Sequence, residues 1–156
     1  MEFDSPAIRH LDRLSIPYRV FTHPSPPGSL EMAARERRQE IHQIVRSILF
    51  RYRQEFYVLV LMAGPYQISW NVLRKYLKVP RLSLASESEV KEVTGYVIGT
   101  VSPIGLRKPV RILADKNAFL PEEISLGSGI SGTAIIMKSQ DLLKTLGSVE
   151  VGNFKK

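Results

Sequence analysis

Two apolar runs, Ile44 to Arg51 and Glu55 to Ala63, flank the short polar stretch Tyr52-Arg53-Gln54, and nothing else in the chain restricts its fold as strongly. Both runs are rich in β-branched and aromatic residues, so they read as the strands of a β-hairpin. Helical patterns surround them. Asp4 or Ser5 caps a first helix with Pro6 in its opening turn, and Ile8, Leu11 and Leu14 repeat at helical spacing until Pro17. Tyr18 to Phe21 is a short strand, and Ser29 caps a second, mostly solvated helix through Ala33 to Arg38. After the Gly64-Pro65 break, Ser69 caps a helix with Val72, Leu73, Tyr76 and Leu77 on its buried side. Ser86 and Glu89 have the spacing of a capping box, which places another helix from Glu87 to about Val93.

Further along, Pro109 to Ala114, Glu123 to Leu126 and Thr133 to Met137 read as strands. Ser139 caps a last helix, Gln140 to Leu146, which Gly147 ends before a strand at Val149 to Val151. Hairpin pairing together with helical crossovers implies an α/β fold: a single domain over residues 1–156, core about 5–152, with a mixed, mainly antiparallel β-sheet and flanking helices. No repeat, low-complexity tract or long linker divides it.

The segment Thr94 to Gly105 places three glycines, a proline and several hydroxyls between apolar runs. Glycine lets a ligand approach the backbone, and hydroxyls and free N–H groups bind carbonyl or phosphate oxygens, so this is either a pocket wall or an irregular turn. Gly127-Ser128-Gly129 is a second turn of the same kind. No Gly-x-Ser-x-Gly elbow, dinucleotide fingerprint or P-loop surrounds these serines. Backbone N–H groups there can instead stabilise a developing oxyanion.

Arg46 is the anomalous charge, since Ile44, Ile48 and Phe50 share its strand face. It is either paired internally with a carboxylate, placed at a sheet end, or aimed into a pocket to bind an anionic or carbonyl oxygen. His10, His23 and His42 lack metal or triad spacing; His23 opens the proline-rich loop after a strand, where it either lines a site or is structural. Twenty-two Lys and Arg against 15 Asp and Glu give a net charge of +7, which favours a polyanionic partner such as nucleic acid. The groups Arg35, Arg37, Arg38 and Arg74, Lys75, Lys78, and the pair Arg107, Lys108, either touch phosphates or form solvated faces, the second being the usual case. The absence of cysteine excludes disulfides, thiolate catalysis and sulfur-ligated metals. The opening residues lack the pattern of a signal peptide, and Phe56 to Gly64 is too short to span a bilayer, so a cytoplasmic protein with no membrane partner is expected.

In order along the chain, Ile44-Val45-Arg46-Ser47-Ile48-Leu49-Phe50-Arg51, the return strand Val58 to Leu61, the helix near Leu73, and Leu84-Ala85-Ser86 with Glu89-Val90 resemble the YbaK/prolyl-tRNA synthetase-associated domain family. The resemblance continues through Thr94-Gly95-Tyr96, Gly99 to Gly105, Asp115, Gly127-Ser128-Gly129 and Ser139 to Leu143. It implies a free-standing deacylase that hydrolyses the ester of a tRNA mischarged with a small amino acid, without a dedicated nucleophile, cofactor or metal. Carried onto this sequence, Arg46, Gly99, Thr100 and Ser102 are the expected catalytic residues. His23, Thr94, Tyr96, Pro103, Gly105, Gly127, Ser128 and Gly129 are expected to bind substrate. The expected partners are the aminoacylated acceptor end of tRNA and an aminoacyl-tRNA synthetase. Two departures bear on activity: Arg46 stands where the family has a lysine, and Ala134 where some relatives have an acidic residue. The alternatives are a catalytically impaired tRNA- or nucleotide-binding module of the same fold and an unrelated small-molecule hydrolase.

Overall fold

The computed structural model describes residues 3–156. The central hairpin pairs β2 (Val45–Arg53) with β3 (Phe56–Ala63), antiparallel from Val45↔Ala63 to Arg53↔Phe56. Parallel strands β5 (Arg111–Asp115) and β8 (Glu150–Gly152) extend the sheet beyond β3. On the other side of β2 lies only the two-residue strand β4 (Ser83–Leu84), giving the order β4-β2-β3-β5-β8. A separate antiparallel sheet has the order β1 (Arg19–Thr22), β7 (Thr133–Lys138), β6 (Glu123–Gly127). The α/β class and mixed strand directions are as expected, with the strands divided over two sheets that meet at a parallel bridge between Ile44 and Ser125.

Every residue of β3 from Val58 to Ala63 is fully buried, because helices cover both faces of the sheet it centres. Leu59 and Leu61 face the core between the sheets with Ala7, Ile8 and Leu11 of α1 (Pro6–Arg13), Val90 and Val93 of α4 (Glu87–Thr94), and Leu142 of α5 (Ser139–Leu146). Val58, Val60 and Met62 face a second core with Leu73 and Leu77 of α3 (Trp70–Leu77) and with Phe154. Only the i, i+4 pair of α3 is buried; Val72 and Tyr76 are 39% and 41% exposed, because the helix presents a narrow stripe to the sheet. Tyr76 instead donates to Glu150 and stands edge-on to Phe154.

Local signals set several ends. Ser5, Ser29 and Ser69 accept from the N–H three residues on, capping α1, α2 (Leu30–Arg37) and α3. The capping box of α4 is complete, with Ser86 and Glu89 each bonded to the other's backbone N–H. Those bonds, with the Tyr57 hydroxyl, hold the Glu89 carboxyl down at about 2. Ser139 does not cap α5: Lys138 is the N-cap, and the Ser139 hydroxyl donates to the Pro121 carbonyl at 2.6 Å. Packing also runs past residue 152, because the fully buried Asp115 carboxylate accepts from the N–H of Phe154 (2.8 Å) and Lys155 (3.1 Å) and from Asn117. Among the described residues no helix is long and apolar enough to cross a membrane.

The Thr94–Gly105 segment is fastened to its neighbours by main chain. Gly129 N–H donates to the Thr100 carbonyl at 2.9 Å, and Gly127 lies so close to Val101 that an added Cβ would stand 2.0 Å from the Val101 oxygen. The Tyr96 hydroxyl closes the segment on itself by donating to the Ile104 carbonyl.

Two substitutions test these contacts by chemical denaturation. Asp115→Ala leaves buried N–H groups unpaired and is expected to cost about 3 kcal/mol. Gly127→Ala forces a backbone shift, with an expected loss of about 2 kcal/mol; wild-type stability in that variant would contradict the close approach.

Candidate active site

Alternation along the hairpin decides which main-chain groups of β2 are free. Gly64 N–H donates to the Ile44 carbonyl, so Ile44, Arg46, Ile48 and Phe50 turn their backbone groups toward β3, while Val45, Ser47 and Leu49 turn theirs away. The outward side is occupied at both ends, by the Ile44–Ser125 bridge and by Ala85 N–H donating to the Leu49 carbonyl at 3.0 Å. Between them, at Ser47, no strand pairs.

A cavity of about 400 Å³ runs along this gap. Every residue from Ile44 to Leu49 lines it, facing Leu84 and Ala85, Val90, the Ile98–Gly99 turn with Val101, and Leu126 with Gly127. The walls are mostly apolar, with Arg37, Arg46, Ser47 and Thr133 as the polar side chains. A depression of about 580 Å³ around Tyr52, Phe56 and Arg111 lies elsewhere, and its cations are already matched, Arg111 by Glu150 and Lys108 by Glu92.

Of the residues expected from sequence, the cavity brings together Arg46, Gly99 and Gly127. Arg46 has no carboxylate partner among the described residues. Its Nε donates to the Gly64 carbonyl at 2.8 Å and its Nη2 to the Tyr66 carbonyl, which leaves three of five N–H donors available. Burial draws the pKa of this guanidinium below its ordinary value. Gly99 has φ +89°, with open space where a side chain would be, so the chain can turn there and leave the cavity unobstructed. Gly99 and Val101 N–H make no hydrogen bond among the described residues.

The other expected residues stand behind this wall. Thr100 donates its hydroxyl to the Val97 carbonyl, and the fully buried Ser102 hydroxyl accepts from Ile104 N–H. Thr94 donates to the Val90 carbonyl, and Tyr96 holds the loop. Ser128 is bonded to Thr133 and Ile130, and Gly129 packs on the Tyr96 ring. Pro103 and Gly105 border a different depression beside Arg107 and Lys108. The hydroxyls of Thr94, Tyr96, Thr100, Ser102 and Ser128 are thus engaged in internal hydrogen bonds. Ala134 is buried opposite Phe21 and Gly127.

His23 is buried too, and it reaches the cavity through another residue. Its Nε2 accepts from Nε of Arg37 at 3.1 Å, and its Nδ1 lies 2.5 Å from Glu36. Arg37 also donates from Nη1 to the Ser125 hydroxyl at 2.9 Å, so it folds inward instead of joining the solvated face expected of its basic stretch. Burial lowers its pKa, against the raising influence of Glu36. Arg37 and Ser47 were not legible as site residues from composition. The signal for Ser47 was a hydroxyl between Val45 and Leu49 on an apolar strand face; its Oγ is buried without a partner at the cavity wall.

Residues 25–145 match the family described as the aminoacyl-tRNA editing domain. The "Multifunctional Ser/Thr-tRNA deacylase ProXp-y" of Escherichia coli (strain K12) is 27% identical over 143 residues, covering 89% of this chain and 84% of that protein. The "Proline--tRNA ligase" of Brachyspira hyodysenteriae is 38% identical over 91 residues, 58% of this chain and 16% of that longer protein. A solved structure described as a candidate trans-editing enzyme for prolyl tRNA synthetase shares the fold, with a TM-score of 0.86, 24% identity and 99% of each chain covered. With its hairpin, glycine turns and cavity accounted for, and the match extending over most of its length, the chain belongs to the aminoacyl-tRNA editing domain family.

Proposed function

We propose that the protein is a free-standing aminoacyl-tRNA deacylase that hydrolyses the ester between a small amino acid and the terminal ribose of a mischarged tRNA. The observation that carries this reading is the cavity on the unpaired edge of β2, where backbone donors and a guanidinium face a mainly apolar chamber. Family membership and the deacylase relative support the reaction class. Among the described residues the chamber lining contains no His, Asp, Glu, Lys or Cys. The Ser47 hydroxyl has no base bonded to it and the Thr133 hydroxyl is bonded to Ser128 and Ile130, so the proposed hydrolysis uses no side-chain nucleophile or base.

In this mechanism the ester carbonyl lies against the free N–H of Ser47, with Gly99 and Val101 N–H across the chamber. Fixed dipoles there stabilise charge as it develops on the oxygen. Water attacks the carbonyl carbon, the carbon–oxygen bond to the ribose breaks, and the proton given up by the water ends on the departing ribose oxygen, leaving the free amino acid and the tRNA hydroxyl. Arg46, anchored by Gly64 and Tyr66, offers its remaining donors to the carbonyl side of the substrate. It carries a fixed charge and moves no proton. The reading assigns a small amino acid to the chamber, and Ser and Thr, as in the relative's name, are the first candidates. tRNA is the proposed substrate, and an aminoacyl-tRNA synthetase is a proposed partner.

Incubation with a panel of correctly and wrongly charged tRNAs, including seryl-, threonyl-, alanyl- and cysteinyl-tRNA, tests the proposal. Release of a small amino acid above the uncatalysed rate is expected. Arg46→Ala should lower kcat/KM at least tenfold, a loss of about 1.4 kcal/mol of transition-state stabilisation, and Arg46→Lys should retain most of it. No release from any member of the panel would leave a binding module of the same fold, the reading favoured by the two Arg46 donors already held by carbonyls.

A further inference from the structure

Arg37 is a half-buried cation whose hydrogen-bond partners are both uncharged, Nε2 of His23 and Oγ of Ser125. A guanidinium has donors only, so Nε2 of His23 must accept, and the ring proton sits on Nδ1, donating to Oε1 of Glu36. The carboxylate of Glu36 thereby fixes the tautomer of His23, and His23 fixes the guanidinium of Arg37. Ser125 completes the grip from the strand that bridges to Ile44. Arg37 forms no ion pair among the described residues, although Arg9, Arg19, Arg51 and Arg111 all do. Glu36 favours the charge of Arg37 from beyond the His23 ring but makes no direct ion pair with it, so the donors that Arg37 does not spend on His23 and Ser125 are left for an anion in the cavity it lines.

The cavity also determines which anion fits. Arg37 borders it with Ile44, Gly127 and Thr133, while Ser47 lies three residues along extended backbone from Ile44, at most about 10 Å away. An aminoacyl ester whose carbonyl rests at Ser47 carries its nearest anion on the 5′ side of the same ribose, as a phosphodiester. The substrate's α-amino group is cationic and would be repelled by Arg37. We propose that Arg37 binds the phosphate 5′ to the terminal nucleoside of the RNA, with His23 and Glu36 as positioning residues. This subsite rests on the deacylase reading for the placement of the ester. Arg37 supplies two parallel donors to phosphate oxygens, a geometry that lysine does not reproduce.

Calorimetric titration with adenosine 5′-monophosphate, adenosine and inorganic phosphate tests the assignment without requiring turnover. The wild-type protein should bind the monophosphate at least tenfold more tightly than adenosine or phosphate alone. Arg37→Gln should erase the advantage over adenosine, Arg37→Lys should keep part of it, and His23→Ala should reduce it several-fold; adenosine binding by each variant shows that it is folded. Equal wild-type affinities for monophosphate and adenosine, or an advantage that survives Arg37→Gln, would overturn the proposal. A monophosphate bound no better than inorganic phosphate would make this a free-anion site and overturn it as well. A monophosphate preference that depends on Arg37, in a protein that releases no amino acid from any tRNA, would contradict the proposed reaction and still support the phosphate subsite.

Discussion

Strand β2 is paired along its whole length with β3 and only at its ends on the other side, and the architecture of the site follows from that inequality. An unpaired strand edge in a folded protein is a row of unsatisfied donors and acceptors, which natural chains cover, shorten or use. Here it is roofed at a distance by the 96–101 loop, by Leu84 and Ala85, and by Leu126 and Gly127. The roof cannot settle onto the strand because its own main chain is held elsewhere, Thr100 by Gly129 and Val101 against Gly127. The result is a chamber with backbone on one wall and mostly aliphatic side chains on the others.

The two arginines of that chamber illustrate how a cation is tolerated out of water. Arg46 is held by two main-chain carbonyls and Arg37 by a histidine and a serine, and burial works against the charge of both. Neither uses its full set of donors on the protein. Such groups are rigid before any ligand arrives, which limits the ordering cost of binding.

The parts of the fold written in local chemistry were legible in the sequence. Caps at Ser5, Ser29 and Ser69, the Ser86–Glu89 box and the alternating apolar runs of the hairpin depend on residues a few positions apart. The rest depends on distant pairing. A two-residue strand such as β4 has no periodicity to detect, and the division into two sheets is decided by which edges meet at Ile44 and Ser125. For the site, the sequence named loops of which Gly99 and Gly127 line the cavity, while the hydrogen bonds of the neighbouring side chains were not visible in it. Thr100, Ser102, Tyr96 and Ser128 spend their hydroxyls on neighbouring carbonyls or hydroxyls, or on a backbone N–H, which only tertiary packing reveals. Arg37 has the same local sequence character as Arg35 and Arg38, and only its tertiary contacts with His23 and Ser125 set it apart from them.

The central claim is that the open edge of β2 receives the ester. The most direct measurement is a crystal structure with an amide-linked aminoacyl-adenosine, which cannot be hydrolysed by this route. The account predicts the amide carbonyl oxygen within hydrogen-bond distance of Ser47 N–H, with the amino-acid side chain among Val90, Ile98 and Leu126. An analogue bound at the Tyr52–Arg111 depression, with the β2 edge untouched, would contradict it.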